Sequence, residues 1–280
     1  MHRPASPAST RRAVAIACVL LALAAPSHAR TAADPACAPQ ELAAVAVWLA
    51  AHPFLAGPTK PEEVVASACK PSPKDKGMTI VAAAYDNPTT VENGNGDGKS
   101  LVVALVDSKG GKIRSAFKGT VHEDAVMRLE AGGLSLDTAR YDLAPGVRAF
   151  GVDIASSASG PRCAEGGLGP WRTLFVQDGP LLRDVLDGVV LSTWRYAAPP
   201  CSGGADDGEV VERTTTFISI AAHATNGYAD LVITQSSDLP AGDKHARNER
   251  HVLHYDGSSY RDDHVLDPVI DEEAAPATTR

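Results

Sequence analysis

At 280 residues, with 26 basic against 34 acidic side chains and a formal net charge of −8, the chain can bury one large core or two smaller ones and makes a poor partner for nucleic acid. Hydrophobic residues make up 44%, an ordinary share for a globular protein, and after Ala29 no stretch approaches the ~20 apolar residues of a membrane span. Nucleic-acid binding and membrane-spanning functions are set aside on these grounds.

Arg3, Arg11 and Arg12 precede the apolar run Ala13 to Ala25, and Ser27-His28-Ala29 offers small residues at the cleavage positions. This predicts a secretory signal over residues 1–29, and with it a periplasmic or secreted protein. Cys37, Cys69, Cys163 and Cys201 follow, an even number that in an oxidising compartment favours two bridges over a metal site. Residues 30–77 are expected to form a helical hairpin. Pro39-Gln40-Glu41 opens a first helix carrying Leu42, Val45, Ala46 and Leu49, and Thr59-Lys60-Pro61-Glu62 has a capping pattern for a second one that runs to Cys69. Four cysteines permit three pairings. An antiparallel hairpin would set Cys37 beside Cys69, which leaves Cys163 with Cys201.

From Met78 the texture changes to β-branched runs punctuated by Gly, Asn and Asp, and residues 78–267 read as a β-rich domain. Strands are predicted over Thr79 to Tyr85, Leu101 to Val106, Val147 to Ile154, Thr173 to Val176, Val189 to Tyr196, Thr214 to Ala222, Leu231 to Thr234 and His251 to Tyr255. Asp178-Gly179, Asp187-Gly188 and Asp256-Gly257 supply turns that accept positive φ, so neighbouring strands should be antiparallel. No helical segments alternate with the strands, which disfavours the parallel architectures that house nucleotide cofactors. Three stretches, Met78 to Val121, Pro145 to Ala197 and Thr214 to His264, share a loose plan of strand, loop and strand. The fold class is therefore mainly β, an antiparallel sandwich or incomplete propeller-like sheets. Residues 268–280 are expected to be a disordered tail.

Asn93-Gly94-Asn95-Gly96-Asp97-Gly98-Lys99 places oxygen-bearing residues at alternate positions before a glycine, the arrangement by which a chain wraps a hard cation. Asn93, Asn95, Asp97 and Lys99 are the candidate metal positions, for Ca²⁺ held weakly, because Leu101 and Ala104 stand where further acids belong. A plain Gly/Asn-rich surface turn is the alternative. The loop resembles the calcium loop of FG-GAP or VCBS repeats, the integrin-like propeller blades. Asn226-Gly227-Tyr228-Ala229-Asp230-Leu231-Val232-Ile233 resembles the end of the same pattern, and Tyr255-Asp256-Gly257-Ser258-Ser259-Tyr260 the hairpin that follows it. The resemblance implies an extracytoplasmic module used for binding or scaffolding.

Catalytic motifs are incomplete. His122-Glu123 lacks the second histidine of a zinc protease, since Val126 holds that place, and Ser67-Ala68-Cys69-Lys70 lacks the companion elements of penicillin-recognising enzymes. His245, His251, His254 and His264 gather in the last quarter near Asp262 and Asp263, but His251 and His254 would point to opposite faces of a strand. Trp171, Trp194, Tyr196 and Tyr260 are either core residues or a recognition surface. The functional expectation is an exported, non-enzymatic β-rich module that binds a protein or cell-envelope component, with Ca²⁺ as an optional structural ion. The rival expectation is a hydrolase whose site is assembled from residues distant in sequence.

Overall fold

A computed structural model describes residues 36–54, 63–87, 98–109, 111–158, 166–196, 211–240, 242–262 and 264–273. The predicted signal, the loop positions Asn93, Asn95 and Asp97, and both Cys163 and Cys201 lie outside the described residues. Within them, a helix α1 (Pro39–Ala51) precedes β1 (Val64–Pro71), β2 (Met78–Asp86), β3 (Lys99–Asp107), β4 (Ile113–Val121), β5 (Leu134–Ala144) and β6 (Val147–Ile154). There follow β7 (Gly166–Leu168), β8 (Trp171–Asp178), β9 (Leu181–Val190), β10 (Ser192–Tyr196), β11 (Val211–Thr225), β12 (Tyr228–Ser237), β13 (Glu249–Leu253) and β14 (Ile270–Glu272). No described helix is long and apolar enough to cross a membrane.

The strands form two sheets. The larger runs β1-β2-β3-β4-β9-β8-β6-β5, with β14 paired to β4, and the smaller runs β13-β12-β11-β10-β7. The larger sheet curls until its edges approach: Lys70 Nζ on β1 donates to the Leu136 carbonyl on β5 at 2.9 Å. Strand alternation then divides each side chain between two environments. Ile80, Ala82 and Ala84 of β2 turn into the curl with Leu101 and Val103 of β3, and with Phe117, Val152 and Phe175. Val81, Ala83 and Tyr85 turn outward, where Val45 and Leu49 of α1 cover them. This double burial is the reason β2 and β3 read as continuous apolar runs.

On the opposite side of the curl, Tyr141, Ala149, Leu174 and Val185 face Leu231, Ile233 and Leu253 of the smaller sheet, with Tyr255 and Tyr260 filling the layer. The molecule is therefore mainly β, as expected, in curled sheets. The three loosely repeated stretches do not form separate blades: the first two contribute strands to one continuous sheet.

Cys37 and Cys69 are bonded, with their Cα atoms 4.9 Å apart. The predicted pairing is right but its geometric basis is corrected: Val64–Pro71 is a strand and not the end of a helix. Ala66 and Ala68 bury at a spacing of two, and the segment pairs with β2 so that Cys69 lies opposite Val81. An available sheet edge outweighs the weak helical pattern of a short Val/Ala stretch. Asp187-Gly188 is likewise not a turn, for β9 runs through it, and Val189 to Tyr196 is divided between β9 and β10 at Leu191. Ile270–Glu272, which fall in the expected disordered tail, form a strand paired with β4.

β4 and β9 are parallel and meet at a single register pair, Ala116 with Leu181. The C-terminal segment closes the remainder of this seam. Leu266 bridges Val189, the Asp267 amide donates to the Gly188 carbonyl at 2.8 Å, and the Trp171 indole donates to Asp267 Oδ2 at 3.0 Å. Residues 264–273 thus act as a strap from β9 to β4.

A candidate ligand groove beside Trp194

Of the sequence-predicted metal positions, Lys99 alone falls on described residues. It starts β3, and its ammonium pairs with Asp86 at 2.8 Å and with Glu123 at 3.3 Å. Ser67 and Lys70 lie on a strand, three positions apart, so their side chains point to opposite faces and the helical geometry of the serine-lysine motif does not arise. Glu123 accepts from the Leu129 amide at 2.6 Å, and His122 pairs with Asp271 at 2.5 Å, which assigns both to fixing a turn and the strap. Trp171 and Tyr260 are core residues.

Trp194 is different. On β10 it stands opposite Gly167 of β7, and a Cβ on Gly167 would come within 2.4 Å of the indole Nε1. Glycine is what lets the ring lie across the neighbouring strand. Tyr196 supports the ring edge-on, at 5.5 Å between centroids. At the β7–β10 end of the smaller sheet opens a groove of about 540 Å³, lined by Val126, Leu168, Trp171, Thr193 and Trp194 and by two arginines, Arg195 and Arg247; the register puts Leu168, Thr193 and Arg195 on one face of the sheet and the indole on the other. That volume lies within the ~300–1,000 Å³ of small-ligand and side-chain pockets.

The groove's apolar groups are held in place by polar ones. Val126, 56% exposed, sits on a turn that Asp124 organises by accepting from the Val126 and Met127 amides at 2.8 and 2.7 Å. These bonds hold the Asp124 carboxyl below its ordinary value. Ser156 ties the same turn to the end of β6, donating to the Val126 carbonyl at 2.7 Å and accepting from the Arg128 amide at 3.0 Å. Leu168, 55% exposed, closes the other lip.

At the charged end, Glu212 is 1% exposed and accepts from Arg195 Nε at 2.6 Å and from the Arg247 amide at 2.5 Å. Burial works against its charge, but these bonds and one from Ser237 outweigh it and hold the carboxyl below its ordinary value. Arg195 also donates to the His245 carbonyl at 2.7 Å. The pair pins the 243–247 turn, and the Arg195 charge is thereby neutralised. The Arg247 guanidinium makes no ion pair among the described residues.

A second polar cluster lies at the far end of the smaller sheet. Asp230, 2% exposed, faces His223 Nδ1 at 2.8 Å and His254 Nδ1 at 3.0 Å through one oxygen. Its other oxygen is buried without a hydrogen-bond partner among the described residues. Burial raises the Asp230 carboxyl, and bonds from His223, Thr225 and His254 overcome that and lower it. Asp230 and His254 were both visible as candidates in the sequence. His223 was not singled out there, because its proximity depends on the register of β11 with β12.

Groups of three or more His, Cys, Asp or Glu arranged to hold a metal ion do not occur among the described residues. Against family models, curated proteins and solved structures alike, the chain finds no match.

Proposed function

We propose that this protein is an exported, disulfide-bonded binding module whose ligand seats in the Trp194 groove. The groove itself carries the reading: exposed apolar side chains, Val126 on a hydrogen-bonded turn and Leu168 on a short end strand, with two arginines beside them, have the anatomy of a recognition site and not of a reaction centre. The Cys37–Cys69 bridge and the basic, apolar leader support export to the periplasm or beyond.

The competing hydrolase would find its constellation at Asp230. There, however, Thr225 Oγ1 and Asp230 Oδ2 both meet the same nitrogen of His254, at 3.4 and 3.0 Å. A relay needs the acid on one ring nitrogen and the hydroxyl on the other.

The test is to titrate isotopically labelled protein with short apolar peptides, neutral and charged, while following the Trp194 indole and Gly167 amide resonances. Shifts confined to these groups, and lost in Trp194→Ala, are the expected result. Shifts scattered over the surface, or none, would remove the reading. Ca²⁺ at Asn93, Asn95 and Asp97 is retained as a structural option. At 10 mM, an ion with a dissociation constant of ~1 mM stabilises by about 1.4 kcal/mol, so an unmoved thermal midpoint would reject it.

A further inference from the structure

We propose that residues 264–273 form a pH-controlled latch: the strap lies closed over the β4–β9 seam while Asp187 beneath it holds a proton, and lifts locally when that proton passes to water. The latch is independent of what the Trp194 groove binds.

How the strap is held is the first observation. β4 and β9 share the single register pair Ala116 with Leu181, so the strands have no continuous ladder between them. The strap bonds to β9 through the Asp267 amide and the Leu266–Val189 bridge, and to β4 through β14. Val269 and Ile270 drop from it into the curled core. β4 keeps its pairing with β3, and β9 its pairing with β8, whether or not the strap is in place. A segment attached in this way can open at lower cost than the sheet beneath it.

What lies beneath is the second. A bulge in β9, where Leu174 pairs with Leu186 and Phe175 with Asp184, brings Asp184 and Asp187 to the same side of the strand. Both line a cavity of about 250 Å³ that Leu266 and Pro268 of the strap help to wall, with Asp262 and Arg261 across it. Asp187 accepts from Thr173 on β8 and from the Ile270 amide of the strap, and makes no ion pair among the described residues. The other charged groups here are engaged elsewhere: Asp271 pairs with His122, Glu273 with Lys118, and Asp267 accepts from the Trp171 indole. Arg183 and Arg261 act on Asp184, and Arg183 on Glu272. An ionised Asp187 therefore meets the like charge of Asp184 in a desolvated place, and lifting of the strap returns it to water.

Burial holds the Asp187 carboxyl up at about 6 under the closed strap, against 3.8 in water. The closed form binds the proton more tightly, so its advantage is whole below about pH 4 and is lost as pH rises to about 6. Between pH 4 and 7 the open fraction should rise on the order of fiftyfold. Amide hydrogen exchange of the full protein at the two pH values, corrected for intrinsic rates, tests this. The Asp267 and Ile270 amides should lose protection by about that factor, and at both pH values should be less protected than the amides in the middle of β3. In Asp187→Asn the loss should vanish. Strap protection that does not change with pH would overturn the latch, and so would an undiminished loss in Asp187→Asn. Protection equal to that of β3 throughout would mean that the strap opens only with the whole fold, which overturns local release. The wild-type comparison decides the question even if the variant does not fold.

Discussion

Asp187 lies on β9 beneath the strap, with Thr173 Oγ1 donating to one carboxyl oxygen and the Ile270 amide to the other at 3.3 Å. Burial pushes this carboxyl from 3.8 up to about 6; the two hydrogen bonds oppose the rise and the nearby Asp184 charge adds to it. Because the folded value lies above the unfolded one, the fold binds the proton more tightly than the open chain does. The stabilisation that results is complete below about pH 4 and is lost as pH rises through about 6, on the order of 3 kcal/mol in all. Asp187→Asn keeps an acceptor and removes the charge. Urea unfolding of this variant should show a shallower fall in stability between pH 4 and 7 than wild type, and higher stability at pH 7.5. An unchanged slope would mean that the strap does not bury this group. Neither Asp187 nor Trp194 could be assigned from the sequence: Asp-Gly is a strong turn signal, and the indole's position follows from the strand that happens to lie beside it.

At the scale of elements, the weak point is the β4–β9 seam, and the strap is what closes it. Gly188 has φ +80°, and a Cβ there would come within 2.2 Å of the Asp267 carbonyl oxygen. Backbone strain and backbone collision act together at this position. Gly188→Ala should therefore lift residues 266–272 away from β9, costing about 2 kcal/mol or more. Hydrogen exchange would read this directly as accelerated exchange of the Asp267 and Ile270 amides. Normal protection of those amides would show that the strap is held from β4 alone. The long strands β2, β3, β6 and β11 were legible because double burial or strict alternation writes itself into the residue pattern. β4 with Gly119, β5 with its register shifts, and the three-residue β7 and β14 were not, since each owes its extended form to the strand it pairs with. For the same reason the residues of β1 carry a helical pattern in the sequence and a strand in the fold.

Across the whole molecule, three apolar layers share the larger sheet: its own curled interior, the face under α1, and the face under the smaller sheet. The disulfide joins Cys37, two residues before α1, to β1, so it ties the covering helix to the sheet that it covers. Composition and local pattern alone determined the β class, the net negative charge and the expectation of export, because each depends on residue types or on neighbours along the chain, whereas the Cys37–Cys69 pair, 32 positions apart, meets through the pairing of β1 with β2. Tertiary structure decided the curl, the strap and the groove. Those arise where residues more than twenty positions apart, such as Val126 and Ser156 or Arg195 and His245, come into contact. Local periodicity reports which face of a strand is apolar, and it carries no information about which distant strand that face will meet.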